Sequence, residues 1–196
     1  MREGFSYPLI IVDFLKHDWK PLANFAMPSP PSHPLQLDQE QLKKACSITR
    51  TRRGGPGGQH RNKVETAIVI THEASGITAQ AGEQRSQHAN LTAAIDRLRV
   101  NLAIGLRSDP LPTAPSDLWK SRIKNRRIAV SLTHADYPLI LTTALDALAL
   151  HENDIVATGK FLEISTSQLI KFFKTNPQVF DHVQRTRKAN GLGALK

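Results

Sequence analysis

The chain has 196 residues, 40% of them hydrophobic, a formal net charge of +9 and a single cysteine. That length suits one ordinary domain or two small ones, and the lone Cys46 excludes a disulfide-framed fold and fits a reducing, cytoplasmic setting. No apolar run approaches the roughly 20 residues that a membrane-spanning helix needs, so no membrane partner is expected.

Taken in chain order, the first apolar stretch is Leu9-Ile10-Ile11-Val12. Asp13 and Asp18 come after it without a small-residue cleavage site, so it does not read as a signal peptide. Pro28, Pro30, Pro31 and Pro34 then predict an extended linker. Met27, just before them, leaves two readings open: translation starting there, or a disordered or docking arm over residues 1–37. Asp38 is placed to cap a helix running to Ala45, and Ser47-Ile48-Thr49 reads as a strand. Beyond the glycine-rich stretch around Gly57, residues 59–64 suggest a helical turn and 65–72 a strand. A turn at Glu73–Gly76 and a strand over Ile77–Ala81 come next.

Leu91, Ile95, Leu98, Leu102 and Leu106 recur at three- and four-residue steps, which marks the buried face of a helix beginning near Ser86. The expected fold class is therefore α+β: over residues 38–108, a small sheet is covered by one long helix and a glycine loop projects from it. Residues 109–118, with Pro110, Pro112 and Pro115, read as a second linker. Residues 119–196 read as a small helical domain. Asp136 and Pro138 start a helix over Leu139–Leu150, and Asn153 or Asp154 starts one ending near Leu162. Thr166–Lys174 and a last helix opened by Asn176-Pro177 and closed by Gly191 complete it. Gly159, Leu162, Ile164, Leu169 and Phe172 resemble a helix-turn-helix pattern, which is broken at Glu163, where the turn usually wants glycine.

The most informative segment is Arg52-Arg53-Gly54-Gly55-Pro56-Gly57-Gly58-Gln59-His60-Arg61-Asn62-Lys63. Four glycines in five residues permit positive φ and close backbone approach to another molecule, while Pro56 limits the loop's freedom. The window 41–64 holds seven Lys/Arg and no Asp or Glu, so the positive charge is focal. A basic run is usually a solvated face; one that brackets a glycine loop points to a phosphate backbone. Two other glycine motifs fail. A Walker loop would need lysine where Gln59 stands, and a dinucleotide fingerprint beginning at Gly55 would need glycine at His60. The eight histidines have no ligand spacing with one another or with Cys46, so neither a metal nor another cofactor is expected.

These residues resemble the catalytic domain of the class I peptide-chain release factors. The resemblance runs from about Cys46 to about Leu106. It takes in Gly57-Gly58-Gln59-His60 with Asn62-Lys63, the strand Ala67–His72, Gly76 in a turn, and Arg85-Ser86-Gln87-His88 with Asn90 at the next helix. It implies that Gly57, Gly58 and Gln59 form a catalytic loop entering the ribosomal peptidyl-transferase centre, where water attacks the ester of peptidyl-tRNA. Arg52, Arg53, His60, Arg61, Asn62, Lys63, Arg85, Ser86 and Gln87 become the candidate RNA-binding residues. For Arg85–Gln87 helix capping by Ser86 is an equal alternative, and His60 and His72 read as structural or RNA-packing residues. The family's glutamine is commonly N-methylated, so a glutamine N-methyltransferase is a candidate partner; the sequence does not decide whether Gln59 is modified. The protein is expected to be a monomer. In release-type rescue proteins a basic tail occupies the mRNA channel. The cluster Lys120, Arg122, Lys124, Arg126, Arg127 is a candidate equivalent, with a solvated segment as the alternative.

The chemistry of Gln59 agrees with a positioning role. A carboxamide is neutral at pH 7 and too weakly basic to take a proton from water. Its side chain can orient a water, and its backbone N–H can donate to charge developing on the carbonyl oxygen. Nothing in the C-terminal 80 or so residues resembles a stop-codon-reading domain, so the expected function is codon-independent peptidyl-tRNA hydrolysis in ribosome rescue. The alternatives are a non-catalytic ribosome- or RNA-binding regulator and a DNA-binding protein acting through its C-terminal helices.

Overall fold

Along Ala67–His72, Ile68, Ile70 and His72 are buried while Ala67, Val69 and Thr71 are only half-buried, the period of two that makes a strand. In the computed structural model, which describes residues 33–51 and 66–196, this segment is the central strand of a three-stranded antiparallel sheet. The strands are β1 (Cys46–Thr51), β2 (Ala67–His72) and β3 (Thr78–Ala81), in that order. The β2–β3 turn carries Gly76 at φ 69°, a left-handed conformation that suits a residue without Cβ.

Before the sheet, α1 (Gln39–Lys44) begins with a capping box: Asp38 accepts from Gln41 N, and the Gln41 side chain accepts from Asp38 N. Residues 33–37, expected to belong to the extended arm, instead contain a short 3₁₀ turn over Pro34–Gln36. Leu35, only 2% exposed, anchors that turn in the core, so burial has overridden the proline signal.

One long helix, α2 (Gln87–Gly105), lies across β2 and β3. Its Ala94, Ile95, Leu98 and Leu102 are buried with Ile68, Ile70, Ala79 and Ala81 of the sheet. The expected α+β arrangement is present here as a small antiparallel sheet with several helices. β3 is an edge strand; Arg97 donates to the Gln80 carbonyl at 2.6 Å and Asn101 to the Thr78 carbonyl at 2.8 Å, which blunts that edge.

After the proline-rich stretch, α3 (Asp117–Arg122) starts two residues inside the expected linker, capped by Ser116. A hairpin of two-residue strands, β4 (Ile123–Lys124) and β5 (Arg127–Ile128), comes next, so the C-terminal part is not purely helical. The central helix of this part is α4 (Tyr137–Leu150), with Ile140, Leu141, Ala144, Leu145, Ala147 and Leu148 buried. It packs on α2, on α3 and on α5 (Ile155–Phe161); α6 (Thr166–Lys174) and α7 (Pro177–Ala189) complete the bundle. Asp136, expected to start α4, stands at its N-cap position; its side chain makes no cap bond, because its carboxylate is engaged by Arg122.

The turn between α5 and α6 explains the misfit at Glu163. Ile164 N bonds to Gly159 O at 3.0 Å and Glu163 N to Lys160 O at 3.2 Å, the paired bonds of a Schellman ending. That geometry puts Glu163 at φ 58°, so the turn takes the backbone a glycine would prefer. Gly159 supplies the space: a Cβ there would lie 3.1 Å from Ile164 O. From α3, Trp119, 1% exposed, donates its indole N–H to Leu162 O at 3.0 Å and so pins this turn.

Trp119→Ala should lower unfolding free energy by about 3–5 kcal/mol, the usual cost of removing a buried aromatic. Trp119→Phe should cost less, by keeping volume while leaving the Leu162 carbonyl unpaired. Urea denaturation of both variants checks the order.

Candidate functional site at the stem of the glycine loop

Gly57, Gly58 and Gln59, with Arg52, Arg53, His60, Arg61, Asn62 and Lys63, lie outside the described residues. What the structure gives is the frame from which that segment departs and to which it returns. The chain leaves β1 at Thr51 and re-enters β2 at Ala67, and these two residues are opposite each other, with Arg50 opposite Ile68 on the next rung. Antiparallel partners stand about 4.5–5.5 Å apart, so both ends of the loop are held close together.

A second fixture sits at the returning end. Asn90, on the first turn of α2 and wholly buried, donates from Nδ2 to Thr66 O at 2.6 Å and to Gln84 O at 2.9 Å. Its Oδ1 accepts from Gln84 N at 2.9 Å. Both amide hydrogens and one lone pair are therefore in use, which fixes the side chain's orientation. Through this residue α2 holds the residue before β2 and the segment after β3 together. The Glu83 carboxylate extends the same brace: it accepts from Arg97 at 3.0 Å and from Gly82 N at 3.1 Å. The hydrogen bond from Arg97, chiefly, brings its pKa down to about 2.

Asn90 belongs to the motif pieces legible in the sequence, where no role attached to it. The usable signal is a polar amide at a buried helical position, which has to find partners.

Of the expected RNA-binding residues at this helix, Ser86 is the N-cap, its Oγ accepting from Ala89 N at 3.4 Å. Arg85, Ser86, Gln87 and His88 are all exposed in a row at the loop's foot. Ile48 and Arg50 share the sheet face that α2 covers, but α2 lies over β2 and β3, so β1 remains open there. The result is a shallow concavity of about 740 Å³ bounded by Lys43, Ile48, Arg50, Gln87, His88 and Leu91. His72 is buried with Nδ1 2.8 Å from Ser75 Oγ, a structural role.

Farther along, the basic cluster offered as an equivalent of a basic tail is divided between a helix and a hairpin. Lys120 and Arg122 belong to α3, where Lys120 lies 3.7 Å from Asp117 and the Arg122 guanidinium donates to Asp136. Lys124, Arg126 and Arg127 belong to the β4–β5 hairpin. Among the described residues no group of three His, Cys, Asp or Glu is placed to hold a metal ion, and no helix is long and apolar enough to cross a membrane.

A loop on two paired strands, braced by an asparagine from the covering helix, can be set against known families. The model of the RF-1 domain matches residues 36–130, from the 3₁₀ turn through the β4–β5 hairpin. That segment belongs to the class I release-factor catalytic domain family. The chain is 44% identical over 70 residues to the peptide chain release factor PrfB1, chloroplastic, of Arabidopsis thaliana. It is 47% identical over 66 residues to peptide chain release factor 2 of a Sulfurovum strain. Against peptide chain release factor 2 of Neisseria meningitidis it is 51% identical over 55 residues. These matches take in 36%, 34% and 28% of this chain but only 14%, 18% and 15% of the relatives. The chain thus spans less than a fifth of the length of those release factors, and what is shared is the RF-1 domain.

Asn90→Ala should leave Thr66 O and both Gln84 groups without their partner, at about 1–3 kcal/mol for each group left buried and unpaired. Its signature should be accelerated amide exchange at β2 and the start of α2, with α6 and α7 unaffected. For Glu83 the folded pKa lies below the ordinary value of 4.5, so its stabilising contribution is present above 4.5 and lost as pH falls toward about 2. Glu83→Gln should flatten that part of a thermal-melt pH series.

Proposed function

We propose that this protein is a ribosome-dependent peptidyl-tRNA hydrolase that works without reading a codon and releases peptides from stalled ribosomes. The observation that carries the reading is an intact Gly57-Gly58-Gln59 inside an RF-1 domain match, between strands whose ends are paired and braced. The similar stretches belong to proteins named peptide chain release factors, which supports ester hydrolysis on the ribosome as the chemistry.

In this reading Gln59 acts by position. Its backbone N–H donates to the oxyanion forming on the ester carbonyl, and its side chain orients the attacking water, while proton transfer is left to the RNA and the tRNA itself. A preorganised donor of this kind is worth about 2.7–4 kcal/mol in the transition state. Gly57 and Gly58 allow the backbone to approach the tRNA end. Arg52, Arg53, Arg61 and Lys63 neutralise phosphates around it, with His60, Asn62 and the exposed row Arg85–Gln87 as further contacts to RNA. The protein acts as a monomer without a cofactor, in the cytoplasm, and Gln59 is a substrate for a glutamine N-methyltransferase. Codon independence is supported by the C-terminal part of the chain, where α4–α7 form a helical bundle seated on α2, without a motif resembling a decoding domain.

The test is peptide release from ribosomes carrying peptidyl-tRNA with a stop codon, a sense codon or no codon in the A site. Equal rates on all three are expected; release confined to stop codons would refute codon independence. Gln59→Ala should retain measurable release through its backbone N–H, and Gly58→Ala should lose more through geometry. Wild-type activity in Gly58→Ala would refute the loop mechanism.

A further inference from the structure

The five basic residues Lys120, Arg122, Lys124, Arg126 and Arg127 divide by what holds them. Lys120 and Arg122, at the base, face Asp117 and Asp136. Asp117 and Asp136 are thereby engaged. Lys124, Arg126 and Arg127 are exposed and make no ion pair among the described residues.

The three uncompensated cations sit on the tightest turn available to a hairpin. Ile123 pairs with Ile128 and Lys124 with Arg127, leaving only Asn125 and Arg126 between the strands, at φ 49° and 58°. Two successive left-handed residues make the type I′ connection, whose favoured sequences are Asn-Gly and Asp-Gly. Asn125 suits its place. Arg126 stands where glycine is preferred, and such backbone strain persists where surrounding structure enforces it, often at ligand contacts.

The surroundings do enforce it. Ile123 and Ile128 pack against the core, Ala129 N bonds to Arg122 O at 2.8 Å, and the Arg122 guanidinium is fixed by Asp136. Beneath them Trp119 is tied to Leu162 O, and β5 rests against α6, whose Lys171 and Lys174 are exposed as well. The hairpin is a preformed finger, so little ordering entropy opposes binding.

The tip has no aromatic or large apolar side chain, which disfavours membrane insertion. Two guanidinium forks and an ammonium group on neighbouring positions suit closely spaced anionic oxygens, the repeat of a phosphodiester backbone. We propose that the β4–β5 hairpin is an RNA-backbone-binding finger, a second phosphate contact separate from the glycine loop. Choosing RNA over other polyphosphates rests on the proposed ribosomal function; the phosphate contact itself does not.

The test is equilibrium binding of the full chain to vacant ribosomes across a salt series. Parallel arms use a short RNA duplex, a DNA duplex of the same sequence and vesicles of anionic phospholipid. The combined variant Lys124→Gln, Arg126→Gln, Arg127→Gln should make the slope of log affinity against log salt shallower by about 2–3 on ribosomes, at roughly 0.7–0.9 per lost phosphate contact. Arg126→Gly, which suits the left-handed backbone, should remove about one contact with an unchanged or raised melting temperature. An unchanged slope in the combined variant, or in Arg126→Gly should the combined variant fail to fold, overturns the proposal. So does a finger effect seen only with DNA or only with vesicles. Peptide release by the unmutated chain separates the two readings: no release with an intact finger-dependent slope sinks the hydrolase alone.

Discussion

The segment between β1 and β2 has its two ends held by the pairing of those strands, where Thr51 faces Ala67. Backbone hydrogen bonds alone leave such a pair marginal, since an isolated hairpin has little apolar surface to bury. Here β3 extends the ladder, and Ile68, Ile70, Ala79 and Ala81 form one apolar face under α2. The frame around the loop is therefore as firm as the packing of α2 on the sheet. Asn90 converts that packing into position, because the same helix that buries the sheet grips Thr66 and Gln84. An apolar residue at this place would fill the volume and leave three backbone groups unsatisfied.

The helix has a second face to satisfy. Ala103 and Ile104 are buried along with Ala94 and Leu98, so α2 is covered by more than the sheet, and α4 supplies the other side. At the end of α2 Arg107 continues the joint. Its guanidinium donates to the carbonyls of Ala103 and Ile104 and lies 3.8 Å from Asp146, a carboxylate only 2% exposed. The joint ties the end of α2 to α4 through that charge pair and through Ser108 N, which donates to Asp146 Oδ1 at 3.2 Å. A movement of α4 would therefore be felt by the helix that braces the loop.

Charge is distributed with the same economy. Arg97, Arg107, Arg122 and Arg185 are each paired with an acid, and Arg187 donates to the carbonyls of Asn153 and Gly193. Lys43, Arg50 and Arg85 near the loop stem, and Lys124, Arg126 and Arg127 on the hairpin, are without acidic partners among the described residues. Among the described residues, positive charge without an acidic partner thus gathers at the loop stem and on the hairpin, where an anionic partner can reach it.

Much of this was legible in the residues. The period of β2, the leucine spacing of α2, Asp38, Ser86, Asp154, and Asn176 at helix starts, and Gly76 and Gly191 at positive φ are local signals, and local geometry answers to them. Gly57-Gly58-Gln59, with Asn62-Lys63 and Arg85-Ser86-Gln87 after it, is what made the resemblance to a family legible. Packing partners decided the rest. Leu35 entered the core against a proline-rich context, the Asp136 carboxylate at the start of α4 went to Arg122, and Glu163 took a glycine's backbone because Trp119 and Gly159 close that turn. Asn90 became a brace only once β2 and α2 met, and one basic cluster divided into two paired residues and three without acids. Sequence spacing specifies faces and caps; which charge finds an acid and which amide finds a carbonyl depends on contacts between residues far apart in the chain.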